Sequence, residues 1–190
     1  ITGGFTTIDA TTQTTNQGNA NLFGPEISFD GSATLTYAFR IVSPNNTVKG
    51  FILGNCDFAI QIYGTAATGN VITQNYIGTD ATGTTSFSNN YGIGISGNAS
   101  AIQITNNVIS GNTIVGIATS PANNITIIGN KIGTDVSGIF PLPNPTGIIL
   151  DNSPNNTIGG TNYSSRNIIS GNTDGGVLIN GSGSAGNSIL

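Results

Sequence analysis

An internal repeat constrains this chain more than any other feature, because self-similarity at a fixed period decides the whole architecture. Ile72, Asn75, Ile77, Gly78, Thr79 and Asp80 recur as Ile127, Asn130, Ile132, Gly133, Thr134 and Asp135, each 55 residues on. The same offset carries Gly92-Ile93 to Gly147-Ile148 and Ile95 to Leu150 without a gap. A second unit lies between these copies. Val108-Ile109-Ser110-Gly111-Asn112-Thr113 returns 60 residues later as Ile168-Ile169-Ser170-Gly171-Asn172-Thr173, and the stretch from Gly159 to Arg166 accommodates the five extra residues.

Each super-repeat holds two smaller turns of one pattern: a short apolar strand, Asn-x-Ile, a polar Gly-rich turn, then a second apolar strand. The Asn-x-Ile elements are Asn75-Tyr76-Ile77, Asn107-Val108-Ile109, Asn130-Lys131-Ile132 and Asn167-Ile168-Ile169, spaced 32, 23 and 37 residues apart. The second strands are Ile60-Gln61-Ile62, Ile93-Gly94-Ile95, Ile117-Ala118-Thr119, Ile148-Ile149-Leu150 and Val177-Leu178-Ile179. Period-two alternation makes them half-buried strands, and the Gly, Asn, Ser and Thr clusters between them are turns. No stretch shows a helical period with caps.

Short strands on such a repeat predict an all-β parallel β-helix, a single-stranded solenoid of about seven coils in which each strand pairs with its equivalent one coil away. Like side chains then stack on like, about 4.7–4.9 Å apart. Ile stacks fill the bore. A buried turn leaves backbone groups unpaired, and a stacked amide both donates and accepts along the axis, so Asn75, Asn107, Asn130 and Asn167 are expected to form an inward ladder. Phe51 holds the Asn place one coil earlier, so the ladder starts at Asn75.

Further elements carry a family likeness: Thr7-Ile8-Asp9-Ala10-Thr11-Thr12-Gln13, Gly24-Pro25-Glu26-Ile27, Asp30-Gly31, the two Ile-Gly-Thr-Asp segments, and Asn155-Asn156-Thr157-Ile158-Gly159-Gly160. In these the chain resembles the right-handed parallel β-helix repeats of bacterial surface and secreted proteins, within the pectate-lyase-like superfamily. The likeness covers most of the chain and is specific for architecture rather than activity. It implies one β-helix domain over 1–190, with 1–44 as less regular first coils holding Ile8, Ile27, Phe29 and Ile41 inside, and 45–190 as regular coils.

Composition narrows the function. Charged residues make up 6% of the chain, which has no His, Met or Trp, one Cys and a net charge of −4. Arg40, Lys49, Lys131 and Arg166 are the only Lys and Arg residues, too few for the basic patch that nucleic acid requires. Without His there is no imidazole triad, metal ligand or proton shuttle. A lone Cys builds neither a disulfide framework nor a thiolate zinc site. No apolar run approaches the ~18 residues of a membrane-spanning helix. The chain opens Ile1-Thr2-Gly3-Gly4, which reads as a processed or excised piece of a longer protein. Scarce Lys and Glu beside abundant Ser, Thr, Asn and Gly point to secretion or the cell surface.

The superfamily includes enzymes that cleave acidic polysaccharides, using clustered Asp with His and basic partners. The eight acids here are Asp9, Glu26, Asp30, Asp57, Asp80, Asp135, Asp151 and Asp174; none are neighbours in sequence. Glycoside hydrolysis places its two carboxylates ~5–9.5 Å apart. No catalytic, cofactor-binding or metal-binding residues are therefore assigned. Asp80 and Asp135 both sit in Gly-Thr-Asp-x-x-Gly turns, two coils or ~9–10 Å apart, too far to share an ion. Each is expected to close its own turn.

Cys56 reads as a small buried or turn residue, since neither a nearby cation nor a helix N-terminus activates it. Alternation points Tyr76 and Lys131 outward, onto a solvated sheet face. The six Asn-x-Ser/Thr sequons, at Asn45, Asn98, Asn124, Asn155, Asn162 and Asn180, are chance products of the composition. An ice-binding row of Thr is disfavoured, because Thr73, Thr105 and Thr126 do not share one coil position.

These readings converge on a non-catalytic structural segment, a rigid stalk, adhesin or filament subunit. Its expected partners are flanking coils of a parent chain or other copies end to end, with glycans as a further class, and with no nucleic acid and no membrane insertion. The alternative is a polysaccharide-binding or polysaccharide-degrading β-helix module, marked by an aromatic-lined groove beside clustered acids. Tyr63, Tyr76, Tyr91 and Tyr163 are the outward aromatics that such a groove would use.

Overall fold

In the computed structural model, residues 1–13, 18, 21–22 and 24–190 are described; the remaining positions of the first-coil region lie outside the described residues. Among the described residues there are seventeen strands and one 3-10 turn, Tyr163–Ser165, and Thr12 and Gln13 are helical. Every pairing between these strands is parallel.

The strands lie in two sheets. One has seven strands: β1 (Thr7–Asp9), β3 (Thr47–Lys49), β5 (Val71–Thr73), β8 (Gln103–Thr105), β11 (Thr126–Ile128), β14 (Thr157–Ile158) and β17 (Ser188–Ile189). The other divides at β4 (Phe51–Tyr63) into two stacks. The first half of β4 pairs with β6 (Tyr76–Ile77), followed by β9 (Val108–Ile109), β12 (Lys131–Ile132) and β15 (Ile168–Ile169). The second half pairs with β7 (Tyr91–Ser100), followed by β10 (Val115–Asn123), β13 (Thr146–Asp151) and β16 (Gly175–Asn180). The long β2 (Ile27–Ile41) covers both halves of β4, with a register break between Asp30 and Leu35. From β3 onward the chain visits the three stacks in the same order on each pass, so the arrangement is compatible with a parallel β-solenoid.

Register places like on like. Ile60, Ile93, Ile117, Ile148 and Val177 form one inward row, and Ile62, Ile95, Thr119, Leu150 and Ile179 the next. Val48, Ile72, Ile104, Ile127 and Ile158 line the opposite stack. Most of these side chains are fully buried in one continuous core. Isoleucine suits the role: its β-branch favours extended backbone and packs well against neighbours on a pleated surface. In the first levels Phe29, Phe39 and Phe51 fill the same space, with ring centroids 6.1 and 5.3 Å apart. Ile41 is buried there, while Ile8, Ile27 and Phe29 pack half-buried against the core.

Three families of corners join the stacks, and amides run along each. At the corner before β6, Asn75, Asn107, Asn130 and Asn167 form the expected ladder. Each of the first three donates its N–H and side-chain amide to the next Oδ1 at 2.9–3.1 Å. Phe51 N–H caps it at Asn75 Oδ1, 3.0 Å. A second ladder, not anticipated from the sequence, runs through Asn89, Asn112, Asn144 and Asn172 with amide contacts of 2.9–3.1 Å. The third corner has Asn46 on Asn70 and Asn156 under Asn187, with the buried Ile102 and Ile125 between these pairs. Among the described residues, no buried side-chain polar atom lacks a partner.

Candidate functional site

The outer face of the stack formed by β2, β4, β7, β10 and β13 carries the most functional detail. Tyr37, Phe58 and Tyr91 occupy one register position on successive strands. Their rings form a ridge: Tyr37 and Phe58 are tilted with centroids 5.9 Å apart, and Phe58 and Tyr91 are stacked at 4.4 Å and 10°. The stack depends on Gly94, whose absent side chain makes room for the Phe58 ring. A Cβ there would meet that ring at 2.7 Å.

A shallow depression flanks each side of the ridge. On one side a groove of about 210 Å³ runs over Gly94 and Ala118, with Gln61, Ser96 and Ser120 along it. Arg40 closes its first end, donating to Gln61 Oε1 at 3.1 Å and lying 5.8 and 5.5 Å from the Tyr37 and Tyr63 ring centroids. Ser120 donates to Asp151 Oδ2 at 2.9 Å. On the other side a cleft of about 290 Å³ is lined by Thr34, Thr36, Asn55, Asp57, Ser88 and Asn90. Asn90 donates to Asp57 Oδ1 at 2.9 Å, and Asn55 to Asp30 Oδ1 at 2.9 Å. The Asn55 amide and Ser32 N–H hold the Asp30 carboxyl below its ordinary value. An acid held ionised this way accepts hydrogen bonds readily and donates a proton poorly.

Cys56 lies in β4 beneath this cleft. Its N–H donates to Asn89 Oδ1 at 3.1 Å, and burial, reinforced by the Asp30 charge, pushes its thiol pKa up. It behaves as a small core side chain.

Asp80 and Asp135 each close their own turn. Asp135 Oδ1 accepts from the Ser137 hydroxyl at 2.6 Å and from the N–H groups of Gly138, Ile139 and Phe140 at 3.1–3.3 Å. Asp80 Oδ1 accepts from the Thr82 hydroxyl and the Thr84 and Thr85 N–H groups. The two loops nevertheless touch, with Val136 N–H on Gly83 O at 2.9 Å.

That contact corrects one expectation. Tyr76 does not face solvent: loops 79–88 and 134–143 fold back over its sheet face, and Tyr76 is buried with Ile52 and Val108 against Phe87 and Val136. Alternation gave the right direction, but a second small core occupies it. Lys131 is half-buried, Tyr63 and Tyr163 are exposed, and Tyr91 belongs to the ridge. Thr73 and Thr105 share a row and a 2.9 Å hydroxyl contact, whereas Ile128 takes the next place and Thr126 lies in the other row.

The ridge was missed because Tyr37, Phe58 and Tyr91 have no common motif; only the register aligns them. The second amide ladder had a visible signal, since Asn112 and Asn172 lie in the repeated Ser-Gly-Asn-Thr unit. No family model, curated protein or solved structure matches this chain.

Proposed function

We propose that the chain is a right-handed parallel β-helix that serves as a non-catalytic, rigid structural segment of a secreted or cell-surface protein. The observation that carries this reading is the amide ladders along the corners, which tie every level to the next with buried hydrogen bonds. Such stacking gives a rod whose length scales with repeat number and whose levels cannot slide independently. Its partners would be further coils of a parent chain or other copies end to end. Such partners would pair strand on strand along the axis, in the parallel register that the stacks already use. Light scattering tests it: association should grow with concentration and fall when a charged capping helix is appended. A monodisperse monomer at high concentration would contradict end-to-end pairing.

The aromatic ridge favours a second reading, a polysaccharide-binding module. Rings between two polar grooves, one with carboxylates and amides, suit a ligand with many hydroxyls and apolar C–H faces. Binding to a panel of soluble polysaccharides, lost in Tyr91→Ala with the fold intact, would establish this reading. Equal behaviour of both proteins would remove it.

A further inference from the structure

The two copies of the 55-residue repeat carry the same loop with opposite tips. In the first copy residues 84–88 read Thr-Thr-Ser-Phe-Ser; in the second, residues 139–143 read Ile-Phe-Pro-Leu-Pro. The backbone frame is shared. Asp80 N–H bonds Thr85 O as Asp135 N–H bonds Phe140 O, both at 2.9 Å, and Thr79 bridges Ser86 as Thr134 bridges Pro141. The two apolar residues that replace Thr84 and Thr85 do not enter a core. Ile139 is 74% exposed and Phe140 65% exposed, on a loop braced by the Asp135 carboxylate. The braced loop holds two large apolar side chains in water.

The ground beside this tip is basic and aromatic. Gly138 lies against Ile168 and Lys131, so that a Cβ on it would meet Ile168 Cδ1 at 2.7 Å and Lys131 Cε at 3.5 Å. Lys131 and Ile168 in turn line a groove of about 210 Å³ with Tyr163 and Arg166. Tyr163 is 85% exposed, and the Arg166 guanidinium lies 4.5 Å from its ring centroid. Two of the chain's four cations therefore sit together. Neither has a carboxylate partner among the described residues, where the one ion pair is Lys49 with Asp9.

We propose that this face, the Ile139–Phe140 tip with Lys131, Arg166 and Tyr163, docks on an anionic lipid surface. Charge complementarity selects the occupant, since the patch gathers two of the four Lys and Arg side chains of an acidic chain. Shape favours lipid over a folded protein. The apolar groups stand largely exposed at the loop tip, and two side chains offer little of the area that a specific protein interface buries. An apolar wedge flanked by Lys, Arg and Tyr is the arrangement that enters a headgroup layer while its charges meet lipid phosphates. The chain would rest on the membrane without spanning it.

The absence of Trp supplies the test. Phe140→Trp places a single indole on the tip, and Thr84→Trp places one on the equivalent tip of the other loop. Mixed with vesicles of phosphatidylcholine and phosphatidylglycerol, the Phe140→Trp protein should shift its emission to the blue and sediment with the vesicles. Thr84→Trp should show no blue shift. Vesicles of phosphatidylcholine alone should bind neither. Ile139→Thr with Phe140→Thr, which copies the first loop, should reduce partition about tenfold or more. Lys131→Gln and Arg166→Gln should each reduce it about fivefold. Far-UV circular dichroism and melting curves establish that these surface variants stay folded. No partition of the parent protein, partition unchanged by the double Thr variant, or equal blue shifts at both tips would overturn the proposal. So would binding to a soluble polyanion that the double Thr variant leaves intact.

Discussion

Asn107 donates its backbone N–H and its side-chain amide to Oδ1 of Asn130, at 2.9 and 3.0 Å, and the same amide reaches back to the Ile72 carbonyl at 3.0 Å. One side chain thus links three levels of the stack. The Asn75 N–H and amide, in turn, end on Asn107 Oδ1.

Asn107→Leu strands the buried Asn75 donors and the Ile72 carbonyl on one side and removes a donor from Asn130 Oδ1 on the other. The expected cost is about 1–3 kcal/mol in chemical denaturation, because unmet buried polar groups lose their solvation without replacement. Asn112→Leu, in the second ladder, should cost a similar amount. A change of a few tenths in either would mean that the ladder contributes little.

Gly94→Val should push the Phe58 ring off Tyr91, since even a Cβ approaches that ring to 2.7 Å. The measurable signs are a lower melting temperature and a changed near-ultraviolet circular dichroism signal from the ridge tyrosines. Ala118→Val, one level along the same outward row, should leave both nearly unchanged.

Acid should loosen the second Asp-braced loop. The Ser137 hydroxyl, with backbone N–H groups of Phe140, Ile139 and Gly138, holds the Asp135 carboxyl below its ordinary 3.8. A carboxyl depressed in the folded state stabilises fully above its unfolded value and loses that contribution as pH falls through the folded one. The melting-temperature advantage of the parent protein over Asp135→Asn should therefore shrink below about pH 4. A constant difference across that range would show that the charge does not matter.

The repeat, the inward Ile rows and the first ladder were legible because each is a short motif repeated along the chain, and stacking converts repetition into contact. Asn46, Asn70, Asn156 and Asn187 were not, because Ile102 and Ile125 interrupt their corner and erase the period. Tyr76 misled for a different reason. Its strand alternation is correct, but loops reaching back from residues 87 and 136 decide its burial, and local pattern carries no record of them. The ridge of Tyr37, Phe58 and Tyr91 likewise exists only through register.

On the reading as a structural segment, uronic-acid polymers should pass through unchanged. Reducing-end and unsaturated-product assays across pectins and alginates should register no turnover. Turnover abolished by Asp57→Asn or Asp30→Asn would instead make the cleft beside the ridge an active site.

The central claim, a solenoid that grows level by level, is tested most directly by lengthening it. One extra copy of the 55-residue repeat adds two levels, as from β6 to β12. Small-angle X-ray scattering, extrapolated to infinite dilution, should then show a particle longer by about 9–10 Å with an unchanged cross-section. A thicker or rounder particle of the same length would contradict it.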